Sequence, residues 1–305
     1  MRFKSSLRPL LAASLTTLAT GGALSQDLPR PDLGKLLLTG GVSAFEGSGG
    51  GGLTPWALIT GYGTRNSYGG NIHYTFFDSG DYQVKSPGVA LGIADRFELS
   101  YAEHKVETEG GALQGVTVRQ NIFGVKLKVL GDAVYDQDSW LPQIAVGAQF
   151  KDHQGIRGLG GTTKPTDLGA KKNRGTDYYV SATKLFLAQS LLLNGTVRLT
   201  KANQFGVLGF GGDREDRYKP QLEASAAYLL ARDWVVGAEY RSKPRNLSID
   251  REKDAFDVFL GWAPNKHLSV VLAYLNIGPL VTGAPGSPIN PKTQDGYYLS
   301  VTAGF

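Results

Sequence analysis

The sequence has 305 residues, of which 41 are glycine, 41% are hydrophobic and none is cysteine, and its formal net charge is +5. The hydrophobic content is too high for a disordered chain, and the lack of cysteine excludes disulfide scaffolds and cysteine-ligated metal sites. Three of the 32 basic residues lie in the first 25, which leaves 29 basic against 27 acidic residues, so the sequence does not predict nucleic-acid binding.

The first 25 residues have the pattern of a secretory signal peptide. A basic start that ends at Arg8 precedes an apolar stretch from Leu10 to Ala19, and small residues follow at Ala23 and Ser25. The apolar stretch is shorter than the roughly 20 residues that a transmembrane helix needs. The pattern therefore predicts cleavage after Ser25 and export of the mature chain, residues 26–305, out of the cytoplasm of a bacterium.

Apolar and polar residues alternate with period two through most of the remaining chain, which is typical of β-strands. We predict fourteen strands, with 12 or 16 as alternatives, at 35–45, 55–64, 68–77, 82–93, 96–107, 118–130, 141–151, 177–187, 190–202, 219–230, 233–242, 254–263, 267–276 and 296–305. Short and long connections largely alternate between these strands, as they do in outer-membrane barrels. The connection at 131–140 is long for an inner turn, and the one at 78–81 is short for an outer loop.

The composition of the two strand faces distinguishes a membrane barrel from a soluble sandwich. In the strand at 233–242, the apolar face carries Trp234, Val236 and Tyr240, and other strands also place aromatic residues near their ends. The opposite faces are rich in glycine, alanine and serine, whereas a sandwich would expose many long polar side chains there. The pattern favours an all-β, transmembrane, antiparallel up-and-down barrel with its apolar face toward lipid. Residues 26–305 are therefore expected to form a single β-barrel domain in the outer membrane of a Gram-negative bacterium.

The last strand ends in an aromatic residue. Tyr297, Leu299, Val301, Ala303 and Phe305 share one face, and Phe305 is the last residue of the sequence. A terminal aromatic residue that closes an alternating strand resembles the signal read by the barrel-assembly machinery of bacterial outer membranes. Phe305 is therefore the candidate assembly signal, and an ordinary strand that stops at phenylalanine is the alternative.

Four stretches resemble a family of proteobacterial proteins known only as a domain of unknown function. The resemblance implies a signal-bearing β protein of the cell envelope, and it implies no catalytic or binding residue. The stretches are GGGLTPWALITGYGTRNSYGGN from Gly50 to Asn71, DQDSWLPQIAVGAQ from Asp136 to Gln149, YVSATKLFLAQSLLLNGTVRLTKANQFGVLGFGGD from Tyr179 to Asp213, and WAPNKHLSVVLAY from Trp262 to Tyr274.

Charged residues at alternating strand positions are candidates for lining the barrel lumen, because a charge on the lipid face costs a few kcal/mol near the bilayer midplane. They fit either a lumen filled by ion pairs or a water-filled pore whose charges select solutes. The candidates are Glu98, Lys126, Lys128, Arg198, Glu223, Glu239, Arg241 and Asp257.

The sequence predicts no catalytic residue, metal ligand or cofactor site. The four histidines share no metal-ligand spacing. The glycine-rich run at residues 47–52 is followed by no phosphate-binding lysine motif, so it is interpreted as an outer loop or a turn.

Three functions remain open from the sequence. The first is an outer-membrane pore for a small solute or an apolar compound. The second is a closed structural or adhesive barrel that acts through its outer loops. A minor third is a membrane-embedded lipid hydrolase, for which His73 with Asn71 is the only suggestive fragment.

The predicted partners are outer-membrane lipid, lipopolysaccharide and the assembly machinery, with a small solute as an open choice. One long outer loop carries a basic group that is suited either to lipopolysaccharide phosphates or to solvent. The cargo and the oligomeric state are left open. The basic group consists of Lys164, Lys171, Lys172 and Arg174.

Overall fold

The computed structural model describes residues 34–40, 42–284 and 287–305. The predicted signal peptide, residues 1–25, lies outside the described residues. Among the described residues, no helix is long and apolar enough to cross a membrane.

The described residues form fifteen strands, joined by turns and loops that contain short 3-10 segments. The strands are β1 (Tyr68–Asp78), β2 (Tyr82–Ile93), β3 (Phe97–Thr108), β4 (Thr117–Leu130), β5 (Gln143–Arg157), β6 (Thr162–Thr163), β7 (Arg174–Phe186), β8 (Leu191–Thr200), β9 (Lys219–Leu229), β10 (Trp234–Arg241), β11 (Ala255–Asn265), β12 (Leu268–Gly278), β13 (Val281–Ala284), β14 (Ser287–Asn290) and β15 (Gln294–Gly304).

Twelve of these strands close into one antiparallel barrel within the described part of the chain. Each barrel strand pairs with the next one along the chain, and β15 returns to pair with β1, with Ile72 opposite Ala303. β6 extends only the end of β5, and β13 pairs with β14 in a separate hairpin. The closed, all-β, antiparallel architecture is confirmed, with twelve strands in place of fourteen.

Short and long connections separate onto the two rims of the barrel. The connections after β2, β7, β9 and β11 are short and lie at one end, called here the short-turn rim. Those after β3, β5, β8, β10 and β12 are longer and lie at the opposite end, called the long-loop rim. The predicted alternation is correct, and so are its two exceptions, now at 79–81 and 131–142.

The outer surface of the barrel is apolar between two aromatic zones. Along β8, the side chain of Val197 is exposed while that of Thr196 is buried, as period-two alternation requires. Near the short-turn rim, the rings of Trp234 and Trp262 stack with centroids 5.8 Å apart, and other aromatic pairs lie toward the long-loop rim. An apolar band between aromatic girdles is the surface of a barrel that lies in lipid.

The first two predicted strands, 35–45 and 55–64, are wrong. Residues 42–62 instead fold inside the barrel and fill its lumen, and they are called here the plug. Each residue from 46 to 61 is buried, although the segment has only isolated bridges such as Ser43 with Gly49. Its apolar residues are buried by the lumen wall and not by lipid, so alternation alone misassigned them.

The glycine-rich run at 47–52 lies within the plug and not in an outer loop. Gly47 adopts a left-handed φ of 94°, which glycine tolerates without strain. A Cβ on Gly51 would lie 2.1 Å from Oε1 of Glu239 on the wall. The run therefore lets the chain turn tightly and approach the wall closely.

Candidate functional site

The candidate site is the lumen, where wall side chains hold the backbone of the plug. Glu98 of β3 accepts hydrogen bonds from the backbone N–H groups of Gly49 and Thr60, at 2.9 and 2.8 Å. Lys126 of β4 donates to the carbonyls of Gly49 and Leu58, at 2.7 and 2.9 Å. Since the plug has little regular structure of its own, the wall supplies partners that its buried backbone groups require.

Glu98 and Lys126 lie opposite each other on β3 and β4 and also form an ion pair of 3.0 Å. Both side chains are almost fully buried. Lys128 lies two residues further along β4, at the short-turn rim, where its Nζ is 2.7 Å from Asp95. Three of the predicted lumen-lining residues thus lie on this side of the barrel, and Lys128 is at its edge.

A second contact centre surrounds the carboxylate of Glu46, which the plug places against β5, β8 and β10. Lys151 and Arg241 donate to this carboxylate, with Arg241 Nη1 at 2.7 Å from Oε2, and Arg198 Nη2 is 3.6 Å from the same oxygen. Asp177 and Glu223 on the wall complete the network. Five charged wall side chains and one plug carboxylate are buried together here.

Glu239 and Asp257 lie opposite each other on β10 and β11, beside the plug. Glu239 accepts hydrogen bonds from the N–H of Leu53 at 2.6 Å and from the hydroxyl of Thr54 at 2.7 Å. Thr54 also lies 2.6 Å from the hydroxyl of Ser225 on β9. The plug is therefore attached to several parts of the wall, among them β3 and β4, the Glu46 centre, and β9 and β10.

The loop between β8 and β9 folds inward and covers the plug from the long-loop rim. Residues 202–212, called here the lid, are all buried. The carbonyl of Phe205 accepts hydrogen bonds from Gln120 at 3.2 Å and from Lys151 at 3.1 Å. The predicted outer loop at 203–218 is thus partly internal, and the lumen is closed by plug and lid together.

Gln204 fixes the lid to the neighbouring loop, residues 242–254. Its N–H donates to Glu252 at 2.8 Å, its amide donates to Asp250 at 2.9 Å, and Lys243 donates to its side-chain oxygen at 2.7 Å. Both Gln204 and Phe205 have left-handed φ values, 47° and 62°. Such conformations cost free energy in residues other than glycine, so these contacts hold the lid in a strained shape.

Burial raises the pKa of both lid-binding carboxyls, Asp250 and Glu252, above the ordinary range, although the positive charge of Lys243 opposes the rise in each. A raised carboxyl pKa favours the folded state at acidic pH, and that stability is lost as the pH rises through the raised value.

We expect the free energy of unfolding to fall by roughly 1 to 2 kcal/mol between pH 5 and pH 8 as Asp250 and Glu252 ionise. Asp250→Asn should flatten this dependence, whereas Asp216→Asn on the surface should not. Urea unfolding followed by tryptophan fluorescence at the two pH values measures the difference. An unchanged slope for Asp250→Asn would show that Asp250 does not contribute to the pH dependence in this range.

A small apolar cavity of about 50 Å³ lies between plug, lid and wall. Phe45 of the plug and Phe205 of the lid line it, with Phe77, Leu275 and Tyr298 from the wall. The rings of Phe45 and Phe205 meet edge to face, with centroids 5.2 Å apart. The lumen is therefore charged around Glu46 and apolar immediately beside it.

His73 and Asn71, the fragment behind the hydrolase hypothesis, both point into the lumen. The amide of Asn71 donates to Thr60 of the plug at 2.6 Å, and its oxygen accepts from Ser43 at 3.1 Å. Within the described residues, neither ring nitrogen of His73 has a hydrogen-bond partner. Asn71 thus binds the plug and His73 faces the lumen, so neither side chain is on the lipid-facing surface of the barrel.

The predicted assembly signal lies at the seam where the barrel closes. The ring of Phe305 is exposed, and its carbonyl accepts hydrogen bonds from the N–H groups of Tyr62 and Gly70, at 3.0 and 3.1 Å. Its recognition by assembly machinery stays a prediction. The basic group Lys164, Lys171, Lys172 and Arg174 is exposed at the long-loop rim, where Arg174 lies 3.6 Å from Asp152.

Sequence reasoning missed three members of the Glu46 centre. Lys151 alternates with Gln149 in a predicted strand, and Asp177 begins another, so the same inward-facing criterion could have found both. Glu46 follows a segment misassigned as a strand and precedes a glycine run, and no periodic signal marks it.

Several solved membrane barrels are similar to this chain in structure. The NanC porin is 11% identical, with 77% of this chain and 98% of that chain covered and a TM-score of 0.49. An outer membrane channel from Pseudomonas putida F1 is 11% identical, covers 83% and 97%, and has a TM-score of 0.48. Outer membrane phospholipase A from Escherichia coli is 11% identical, covers 80% and 93%, and has a TM-score of 0.39. Likenesses this distant say nothing about what this chain transports or catalyses.

The sequence itself points to one family. Among curated proteins, no match is found. The model of a family described as "Protein of unknown function (DUF3034)" matches residues 39–302, which include the plug, the first eleven barrel strands and β15 as far as residue 302. This match confirms the resemblance seen in the sequence, and the chain belongs to the DUF3034 family.

Proposed function

We propose that this protein is an outer-membrane channel for a small solute, closed in the described state by its plug and lid. Passage requires the plug to leave its wall contacts. The proposed function involves no catalytic step.

The observation that carries this proposal is the chemistry of the wall behind the plug. The wall contributes many buried charged side chains, although a permanently filled barrel of this size could be packed with apolar ones at no loss of stability. If the plug is displaced, the same side chains line a hydrated passage that water stabilises. The charged wall residues are Glu98, Lys126, Lys151, Asp177, Arg198, Glu223, Glu239, Arg241 and Asp257.

The contacts between plug and wall also suit reversible closure. Backbone amides and carbonyls of the plug bind Glu98, Lys126 and Glu239, and water can replace each of these partners. A hydrogen bond to a charged group contributes about 1.5 to 3 kcal/mol net when it is exchanged with water. Water can therefore take over these polar contacts when the plug is released, and the cost that remains is exposure of plug side chains such as Leu53 and Trp56.

Conductance of the refolded mature protein in a planar bilayer tests the proposal. We expect brief, voltage-promoted current steps from a mostly closed channel, with empty detergent as the negative control and a known porin as the positive control. Folded protein that stays silent at every voltage would contradict the channel function.

A closed structural or adhesive barrel is the second candidate, and the filled lumen favours it. Sixteen consecutive plug residues are buried inside the barrel in the described state. The two candidates differ in the conductance experiment, because a closed barrel gives no steps.

We expect the long-loop rim to face the cell exterior, since long loops of outer-membrane barrels are extracellular. Thr163→Cys and Pro291→Cys, both in connections at that rim, should react with a membrane-impermeant maleimide on whole cells. Asn265→Cys, at the short-turn rim, should react only after lysis. Because the chain has no native cysteine, the label can react only at the introduced residue. The reverse labelling pattern would show that the long-loop rim faces the periplasm.

A further inference from the structure

The Glu46 carboxylate occupies a site whose other members all belong to the barrel wall. Arg241 holds it with two nitrogens, Nη1 at 2.7 Å from Oε2 and Nη2 at 3.3 Å from Oε1. Lys151 binds Oε1, and Arg198 approaches Oε2 at 3.6 Å. Two-nitrogen contact from an arginine is the geometry that proteins use to recognise a carboxylate.

The wall alone is left with an excess positive charge at this place. It contributes three cations and two carboxylates; Asp177 lies 2.7 Å from Lys151, and Glu223 lies 3.2 Å from Arg241. Glu46 of the plug balances the remaining charge. When the plug leaves, this cluster keeps one net positive charge, which favours the binding of one monovalent anion in its place.

Apolar surface adjoins this cation site. The ring of Phe205 packs against the guanidinium of Arg241, with 4.7 Å between the Cζ and the ring centroid. Phe45, next to Glu46 in the plug, lines the apolar cavity with Leu275 and Tyr298. A ligand that replaces both Glu46 and Phe45 therefore needs one carboxylate and a compact apolar body.

From this geometry we infer that Lys151, Arg198 and Arg241 form a binding site for a small organic monocarboxylate with an apolar body, and that Glu46 occupies this site in the closed state. The inference rests on the proposed channel function. The entering carboxylate takes the place of Glu46, its apolar body takes the place of Phe45, and the plug loses its strongest attachment to the wall. Binding of the solute therefore displaces the plug, and this displacement opens the channel.

Glu46→Gln tests the inference, because it removes the internal anion at nearly constant volume. In a KCl gradient, we expect its channel to open more often than wild type and to favour chloride over potassium by about tenfold. Millimolar benzoate should reduce this current and raise the thermal midpoint of the purified variant, whereas benzyl alcohol, its uncharged analogue, should do neither.

Two further variants separate the site from general effects. Adding Arg241→Gln to Glu46→Gln should abolish both the chloride preference and the benzoate response. Adding Arg119→Gln, on the outer surface of β4, should leave both unchanged. Resistance of each barrel to SDS before heating checks that it is folded.

The outcomes distinguish the inference from the function on which it rests. Current without chloride preference or benzoate response would overturn the anion site and leave the channel standing. Silence of wild type and variant would overturn the channel. In that case, benzoate stabilisation of Glu46→Gln that Arg241→Gln abolishes would still support the anion site, and its absence would overturn the site as well.

Discussion

A disulfide between Thr54→Cys and Ser225→Cys is expected to hold the channel shut. The hydroxyl oxygens of these two residues are 2.6 Å apart, one on the plug and one on β9, and both residues are buried. The two side chains are therefore close enough for a disulfide of about 2.05 Å to join their sulfur atoms with a small adjustment. The oxidised variant should show no openings above those of an empty bilayer, and reduction should restore steps like those of wild type.

Each single-cysteine variant provides the control for this experiment. It carries one of the two changes but cannot form the bond, since the native chain has no cysteine. Both should conduct under oxidising and reducing conditions alike. If the oxidised double variant conducted as well as the reduced one, solutes would pass without movement of the plug, and plug displacement would be wrong as the opening step.

Glu98→Gln is expected to destabilise the folded barrel by about 3 kcal/mol. The change leaves the buried ammonium of Lys126 without its carboxylate, and it weakens the acceptor that binds Gly49 and Thr60 of the plug. The shift in urea unfolding midpoint of the barrel in lipid vesicles measures the loss.

Glu103→Gln is the matched control on the same strand. Glu103 is partly exposed and lies 3.9 Å from Arg119, so the loss should be less than about 1 kcal/mol. The double variant Glu98→Gln with Lys126→Met should recover much of the stability, because no unpaired charge remains. An equal loss in the single and double variants would show that the ion pair itself does not matter.

The sequence predicted the barrel well because its strands alternate between two different environments. In β12, Leu272 faces lipid and Ser269 faces the lumen. Apolar and polar residues therefore alternate along the strand, and the sequence shows this alternation directly. Connection lengths then located the hairpins, and the strand β2 has the bounds predicted for it, Tyr82–Ile93.

The plug could not be predicted in the same way. Its residues are enclosed on all sides, so burial leaves no period in the sequence, and Ile59 looks like a member of the strand predicted at 55–64. Its path depends on contacts with wall residues far away in the chain, such as Leu53 with Glu239, 186 positions apart. In this segment, only the glycine run at 47–52 indicates an irregular backbone, and such a run is equally typical of an outer loop or a turn.

The wall recognises the plug mainly through its main chain. Glu98 binds two amides of the plug, Lys126 binds two of its carbonyls, and Pro55 presents its carbonyl to Ser181 and Thr196. Relatives in the family can therefore diverge at many plug side chains and still close the lumen, provided that the bends near Gly51 are kept. If the proposed anion site exists, divergence at Glu46 is expected to change which anion the wall binds.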